Sequence, residues 1–221
     1  MKLQDRVILT IGIIVAIAGC TSSTGPGPLA MVMPGVGSTF TYRGWAIDTA
    51  TGRMRPGSDG LGTITVIAAH ISYQGKTNVL ELQLDTFPPE YINYEPNGDL
   101  SIYFQAMGQP GAQDEWVTMP LVSGGQHKHV CSDITSASGE RWRTVKTFTS
   151  AGPASITVSG HTYSSYGIGY QELYNSTLVD TSTTWYDAAT GMYIQEDEPV
   201  QFEAGFKIEG HHVELVSETL K

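Results

Sequence analysis

His127-Lys-His129-Val-Cys131 is the densest run of chemically capable side chains in this sequence. On a strand, alternate residues share a face about 6.6 Å apart, from a rise of about 3.3 Å per residue. Two imidazoles and a thiol would then line up, a donor set suited to zinc or copper. A fourth ligand would have to come from elsewhere, and His70, His161, His211 and His212 are the available imidazoles. The spacing matches none of the usual Cys/His zinc patterns. In the competing reading the two histidines are exposed loop residues after Gly124-Gly125, and Cys131 is a buried, inert thiol.

Other chemically capable groups have plainer explanations. His211-His212 reads as a surface pair at a hairpin turn, and Glu196-Asp197-Glu198, ahead of Pro199, as a solvated loop. Asp48 and Asp59 flank a Gly-rich loop without the alternating oxygen ligands of a calcium site. No Gly-x-Ser-x-Gly elbow, His-Glu-x-x-His pair or phosphate-cradling glycine loop occurs. The expectation is a protein that is not an enzyme and needs no cofactor. Its 22 acidic against 12 basic residues, a net charge of −10, repel nucleic acid and anionic lipid headgroups alike.

The elements that must position these residues are strands. Leu80, Leu82 and Leu84 alternate with Glu81, Gln83 and Asp85; Leu100, Ile102 and Phe104 alternate with Ser101, Tyr103 and Gln105; Phe202, Ala204, Phe206 and Ile208 alternate with polar residues and Gly205. Period two is the pattern of a half-buried strand. Gln74-Gly75, Asn97-Gly98-Asp99 and Glu209-Gly210 supply turn chemistry between such runs. Further strands are expected at Gly62–Tyr73, Tyr91–Tyr94, Glu115–Val122, Ile156–Val158, Tyr163–Tyr174, Thr181–Tyr186, Met192–Glu196 and Val213–Thr219. Residues 106–139 are rich in loop formers around the Glu115–Val122 strand. No capped 3.6-residue apolar stripe follows the first 37 residues. The fold class predicted is all-β: an antiparallel curved sheet, half-barrel or barrel-like sandwich of about ten to twelve strands in one domain, 38–221.

The N-terminus differs in kind. Lys2 and Arg6 precede an apolar run, Val7 to Ala18, shorter than the roughly 20 residues a membrane span needs. Ile17-Ala18-Gly19-Cys20 follows. A basic start, a short apolar run and small residues describe a signal peptide, 1–19. With the cysteine it resembles the lipobox of bacterial lipoproteins. That resemblance implies cleavage before Cys20, a diacylglycerol on its sulfur and usually a third acyl chain on its nitrogen. Two or three chains make a durable anchor where one is marginal. Thr21 in place of Asp implies passage to the outer membrane, on its periplasmic or surface face. With Cys20 lipidated, Cys131 has no disulfide partner in the chain. Residues 20–37, with Thr-Ser-Ser-Thr-Gly-Pro-Gly-Pro at 21–28, read as the lipidated cysteine and a flexible tether.

A second resemblance lies in the C-terminal third. Ser155-Ile-Thr-Val-Ser-Gly-His-Thr-Tyr163, a strand at Tyr166–Tyr174, Thr183-Thr-Trp-Tyr-Asp-Ala-Ala-Thr-Gly-Met192 and Val213-Glu-Leu-Val216 occur in that order. The series is similar to the tail of uncharacterised β-rich bacterial envelope proteins, themselves similar to LolA/LolB-type half-barrels, although Gly160-His161 stands where Ala-Gly is usual. It implies an antiparallel half-barrel and carries no catalytic residues. Independently of it, Trp185 and Tyr186 must face opposite sides of a strand, and Gly191 is the positive-φ residue of the turn that follows.

Two uses of such a sheet, besides metal binding at His127, His129 and Cys131, fit the sequence. Its apolar face, lined by Leu80, Leu82, Leu84, Leu100, Ile102, Phe104, Phe202 and Phe206, could receive a lipid or other hydrophobic ligand. The same residues would equally form a closed core. Alternatively, the eleven tyrosines, in runs such as Tyr91-Ile-Asn-Tyr94, present surface aromatics to protein or glycan partners in the envelope.

Overall fold

The computed structural model describes residues 30–48, 50–85, 87–104, 114–135, 141–175, 177–203 and 206–221. The segment expected to be a signal peptide, Cys20 and the expected tether up to residue 29 lie outside the described residues. Every regular element within them is a strand: β1 Thr39–Asp48, β2 Arg53–Met54, β3 Gly60–Tyr73, β4 Lys76–Leu84, β5 Glu90–Tyr94, β6 Leu100–Phe104, β7 Glu115–Met119, β8 Gln126–Thr135, β9 Arg141–Val158, β10 His161–Tyr174, β11 Thr177–Asp187, β12 Tyr193–Glu203 and β13 Phe206–Thr219. All pair antiparallel in one sheet, ordered β7-β6-β5-β4-β3-β1-β13-β12-β11-β10-β9-β8, with β2 on β1. The sheet curls into a nearly closed barrel.

Its two end strands, β7 and β8, come side by side without a shared ladder. Turn and side-chain bonds hold this seam instead. Ser150 Oγ on β9 donates to the Leu121 carbonyl at 3.5 Å, and Asp99 Oδ1 accepts the N–H groups of Val122 and Ser123 at 2.8 and 3.0 Å. Inside, alternate residues from both halves meet in one core. Phe40, Val66, Leu80, Leu100, Val117, Ile168, Met192, Ile194 and Leu215 are all buried there, as the period of two requires.

The alternating runs at β4 and β6 form strands as expected, and the Gln74-Gly75 turn joins β3 to β4, with positive φ at both residues. Other expectations need correction. β9 runs 18 residues from Arg141, where only Ile156–Val158 stood out in sequence. Six of its 18 residues are Thr or Ser, and Gly152-Pro153 interrupts the run, so little apolar alternation shows before Ile156. The loop-rich stretch 106–139 contains β8, whose ladder partner is β9. Glu209-Gly210 is not a turn: both residues, and His211-His212 after them, lie within β13, paired with β12 on one side and β1 on the other. Glu203 stands opposite Phe206, so β12 and β13 reverse there and the single run Phe202–Ile208 is divided.

Residues 31–37, read above as the end of a free tether, are a strap bound across one end of the barrel. Val32 N–H donates to the Ala189 carbonyl, Gly35 N–H to that of Lys221 and Gly37 N–H to that of Val66, at 2.8, 3.1 and 2.8 Å. Met33 and Pro34 are buried beneath it. Backbone bonds and two buried side chains fix a segment whose Gly and Pro content alone suggested freedom.

Candidate functional site

At the end opposite the strap, the inner face turns from apolar to charged. Phe148 on β9, Tyr170 on β10 and Ser182 on β11 stand opposite one another; two residues further along, Lys146, Glu172 and Asp180 form the next row. On β12, Glu196 and Glu198 continue the inward face begun by buried Ile194, and stand opposite Val213 and His211 of β13. Tyr170 donates its hydroxyl to Glu172 Oε2 at 2.5 Å, and Thr184 donates to Glu196 Oε1 at 3.3 Å. His211 Nδ1 lies 3.3 Å from Glu198 Oε2.

The Asp180 and Glu198 carboxyls act on each other, and with both partly buried the pair favours holding a proton. Burial, and then the Asp180 carboxyl, push Glu198 up to about 8 from its usual 4.5. Burial also raises Asp180 and Glu196. Burial, followed by the Glu172 charge, raises the Tyr170 phenol. The second oxygen of Asp180, Oδ1, is buried with no hydrogen-bond partner among the described residues. This wall therefore gathers carboxyls whose protonated forms burial favours, with the hydroxyls of Ser182, Thr184 and Tyr170 among them. The reading of Glu196-Asp197-Glu198 as a solvated loop is overturned: the signal was the continuation of Ile194-x-Glu196-x-Glu198 along one face, masked by Pro199.

The wall across from it is apolar and reaches solvent at the end of β6. Leu84 and Ile102 are half-buried, and Phe104 is 37% exposed. The Phe104 ring lies 6.3 Å from Phe148, which lies 5.2 Å from Tyr170. Lys146 Nζ sits 5.4 Å above the Phe104 ring, between the two walls. Of the residues expected to line an apolar ligand face, Leu84, Ile102 and Phe104 border this opening. Leu80, Leu82 and Leu100, 0–2% exposed, are instead enclosed in the packed core. Phe202 and Phe206 hold ladder positions in β12 and β13, and their side chains lie outside the described residues.

The proposed metal ligands sit on one strand at alternate positions, with His127 opposite Phe148, His129 opposite Lys146 and Cys131 opposite Thr144. His127 is half-buried; the side chains of His129 and Cys131 lie outside the described residues. Among those described, no three His, Cys, Asp or Glu side chains are arranged to hold a metal ion.

On the outer face, His212 is bound to Asp197 through Nδ1 and stacks on Trp45 at 4.3 Å. Its Nε2 lies 3.9 Å from Glu214. This links β12, β13 and β1 and places His212 in a sheet rather than at a turn. A second outer group joins β3, β5, β6 and β7. Tyr73 and Tyr91 stack at 3.7 Å, with Tyr103 and Trp116 packed edge-on or tilted around them.

No family model matches the chain, and neither does any curated protein. Solved structures to which the chain is similar include the following three. A candidate lipoprotein from Parabacteroides distasonis is 11% identical, with 85% of this chain and 97% of that one covered and a TM-score of 0.47. For a candidate exported protein with a YmcC-like fold from Bacteroides fragilis the values are 10%, 86%, 98% and 0.43. For the hypothetical lipoprotein YmcC of Escherichia coli they are 12%, 82%, 84% and 0.40.

Proposed function

We propose that this chain is a lipid-anchored protein of the bacterial cell envelope, held at the outer membrane through Cys20, whose barrel binds a lipid or other hydrophobic ligand without catalysis. The anchor rests on the lipobox Ile17-Ala18-Gly19-Cys20. The ligand reading rests on one observation: the apolar inner face reaches solvent at the end of β6, where the Phe104 ring lies beside Phe148 and is 37% exposed. An apolar surface left open in a barrel is the ordinary form of a hydrophobic ligand site.

Native mass spectrometry tests the ligand. Residues 25–221, which retain every described contact, are exported to the envelope without the anchor and purified without detergent. A lipid-sized mass should accompany the protein and be lost in a folded Phe104→Asp variant. A bare polypeptide mass in the parent protein would sink the ligand reading. The mass of the native N-terminal peptide reads acylation of Cys20 separately.

The outer cluster of Tyr73, Tyr91, Tyr103 and Trp116 supports a second reading, a surface that meets protein or glycan partners. Aromatic rings gathered on a sheet exterior are what such recognition uses. A bare barrel whose envelope partner is lost on Trp116→Ala would favour it.

A further inference from the structure

The strap end of the barrel carries aliphatic side chains that the core does not use. Val36 is 57% exposed, between Gly35, bound to Lys221, and Gly37, bound to Val66. The residues beside those two partners, Leu220 and Ile67, are 51% and 42% exposed, and Val32, further along the strap, is 70% exposed. The backbone bonds thus knit three separate segments, 31–37, 66–67 and 220–221, and so bring exposed aliphatic residues of all three to one end of the barrel. A contiguous apolar patch on a water-facing surface marks a contact site.

The chain that leaves this patch identifies the contact. Residues 20–29 separate Cys20 from the strap and span at most roughly 36 Å when fully extended. The tether leaves from this end, so an acyl anchor on Cys20 holds the strap end within roughly 36 Å of the bilayer. We propose that the strap end is a membrane-docking face: Val32, Val36, Ile67 and Leu220 enter the boundary between headgroups and acyl chains of the membrane that holds Cys20. This rests on the lipoprotein reading and deepens it. Aliphatic side chains seated at that depth add to an acyl anchor. The net charge of −10 favours a zwitterionic surface over an anionic one. The barrel then stands with the Phe104 opening directed away from the bilayer.

Hydroxyl-radical footprinting of the tethered protein tests the docking. Residues 20–221 carrying Cys131→Ser are coupled through Cys20 to a maleimide phospholipid in phosphatidylcholine vesicles and compared with the same protein free in solution. Oxidation of Val32, Val36, Ile67 and Leu220 should fall roughly threefold or more on the vesicles. Met54, Leu61 and Phe87, exposed at the opposite end, should be oxidised equally in both states. Pairing Val36→Asp with Leu220→Asp should restore oxidation of Ile67 and Val32; Val32→Asp alone serves if the pair does not fold. Equal oxidation of the patch on and off the vesicles would overturn the proposal, as would protection confined to Met54, Leu61 and Phe87. Because the tether is chemical, a native Cys20 without acyl chains would remove the lipoprotein reading and leave the footprint to be judged on its own.

Discussion

Asp99, in the turn between β5 and β6, accepts the backbone N–H of Val122 at 2.8 Å through the same oxygen that accepts the N–H of Ser123. The carboxylate thereby fastens the β7–β8 connection to the β5–β6 turn, beside the seam where the described strands β7 and β8 share no ladder. Asp99→Ala leaves two N–H groups without their acceptor, at a cost of about 2–4 kcal/mol. We expect a lowered denaturant midpoint and faster amide exchange at Val122 and Ser123 than in the rest of the sheet. Uniform exchange across the barrel would remove Asp99 from the role of seam clasp.

Glu198 makes stability depend on pH in a stated direction. Its pKa is raised from the usual 4.5 to about 8, so between those values the folded chain keeps a proton that the unfolded chain releases. Stability is therefore full below about pH 4.5 and declines as pH rises toward 8. Asp180 and Glu196 are raised as well and act in the same sense. Glu95 and Asp99 act in the opposite sense on the acid side. Burial pushes both up, but hydrogen bonds outweigh it: Lys76 and Ser101 hold Glu95 down, while Ser123, Val122 and Asn97 hold Asp99 down. Their contribution is lost as pH falls below their usual values. Thermal melts should give a maximum near pH 5 and a falling limb to pH 8.5, which Glu198→Gln flattens. A wild-type Tm that rises from pH 5 to 8 would contradict the upward shift of Glu198.

Gly167 and Trp185 are matched across β10 and β11. A β-carbon on Gly167 would lie 2.7 Å from the indole ring, closer than any real contact, so Gly167→Ala must displace the ring. We expect about 1–3 kcal/mol of destabilisation, largely recovered when Trp185→Leu is added. Equal losses in both backgrounds would mean that the backbone, rather than the ring, resents the added methyl.

How far the sequence reveals all this depends on where the signal sits. The β4 and β6 alternation, the opposed faces of Trp185 and Tyr186, and the Asp187–Gly191 turn are legible because each is local. Gly191 has the positive φ expected, at 71°, and Asp187 caps the turn by accepting from Thr190 N and Oγ1. The acidic wall is not legible. Asp180 and Glu198 are distant in sequence, and only the β11–β12 register brings them together. β9 and His211-His212 escaped for a different reason: threonines, a glycine and paired histidines resemble loops unless a neighbouring strand supplies the hydrogen bonds. The strap shows the same limit, since its Gly and Pro residues describe the chain's freedom before Ala189, Lys221 and Val66 remove it.

Leu82 and Phe104 separate the packed part of the interior from its opening. Both stand on alternating strands, β4 and β6, and the pattern alone makes them equivalent. Leu82 is 2% exposed within the core cluster, while Phe104 keeps 37% of its surface in solvent and touches chiefly Phe148 and Lys146. Leu82→Ala should leave a cavity and cost about 2–5 kcal/mol. Phe104→Ala removes a ring whose burial is incomplete and should cost about 1 kcal/mol, near the centre of ordinary substitutions. Urea titration of the two variants measures the difference directly. If Phe104→Ala costs as much as Leu82→Ala, the ring is sealed into the core and the opening is closed to ligand. If it costs little while a co-purifying hydrophobic mass disappears, the ring serves the opening rather than the fold.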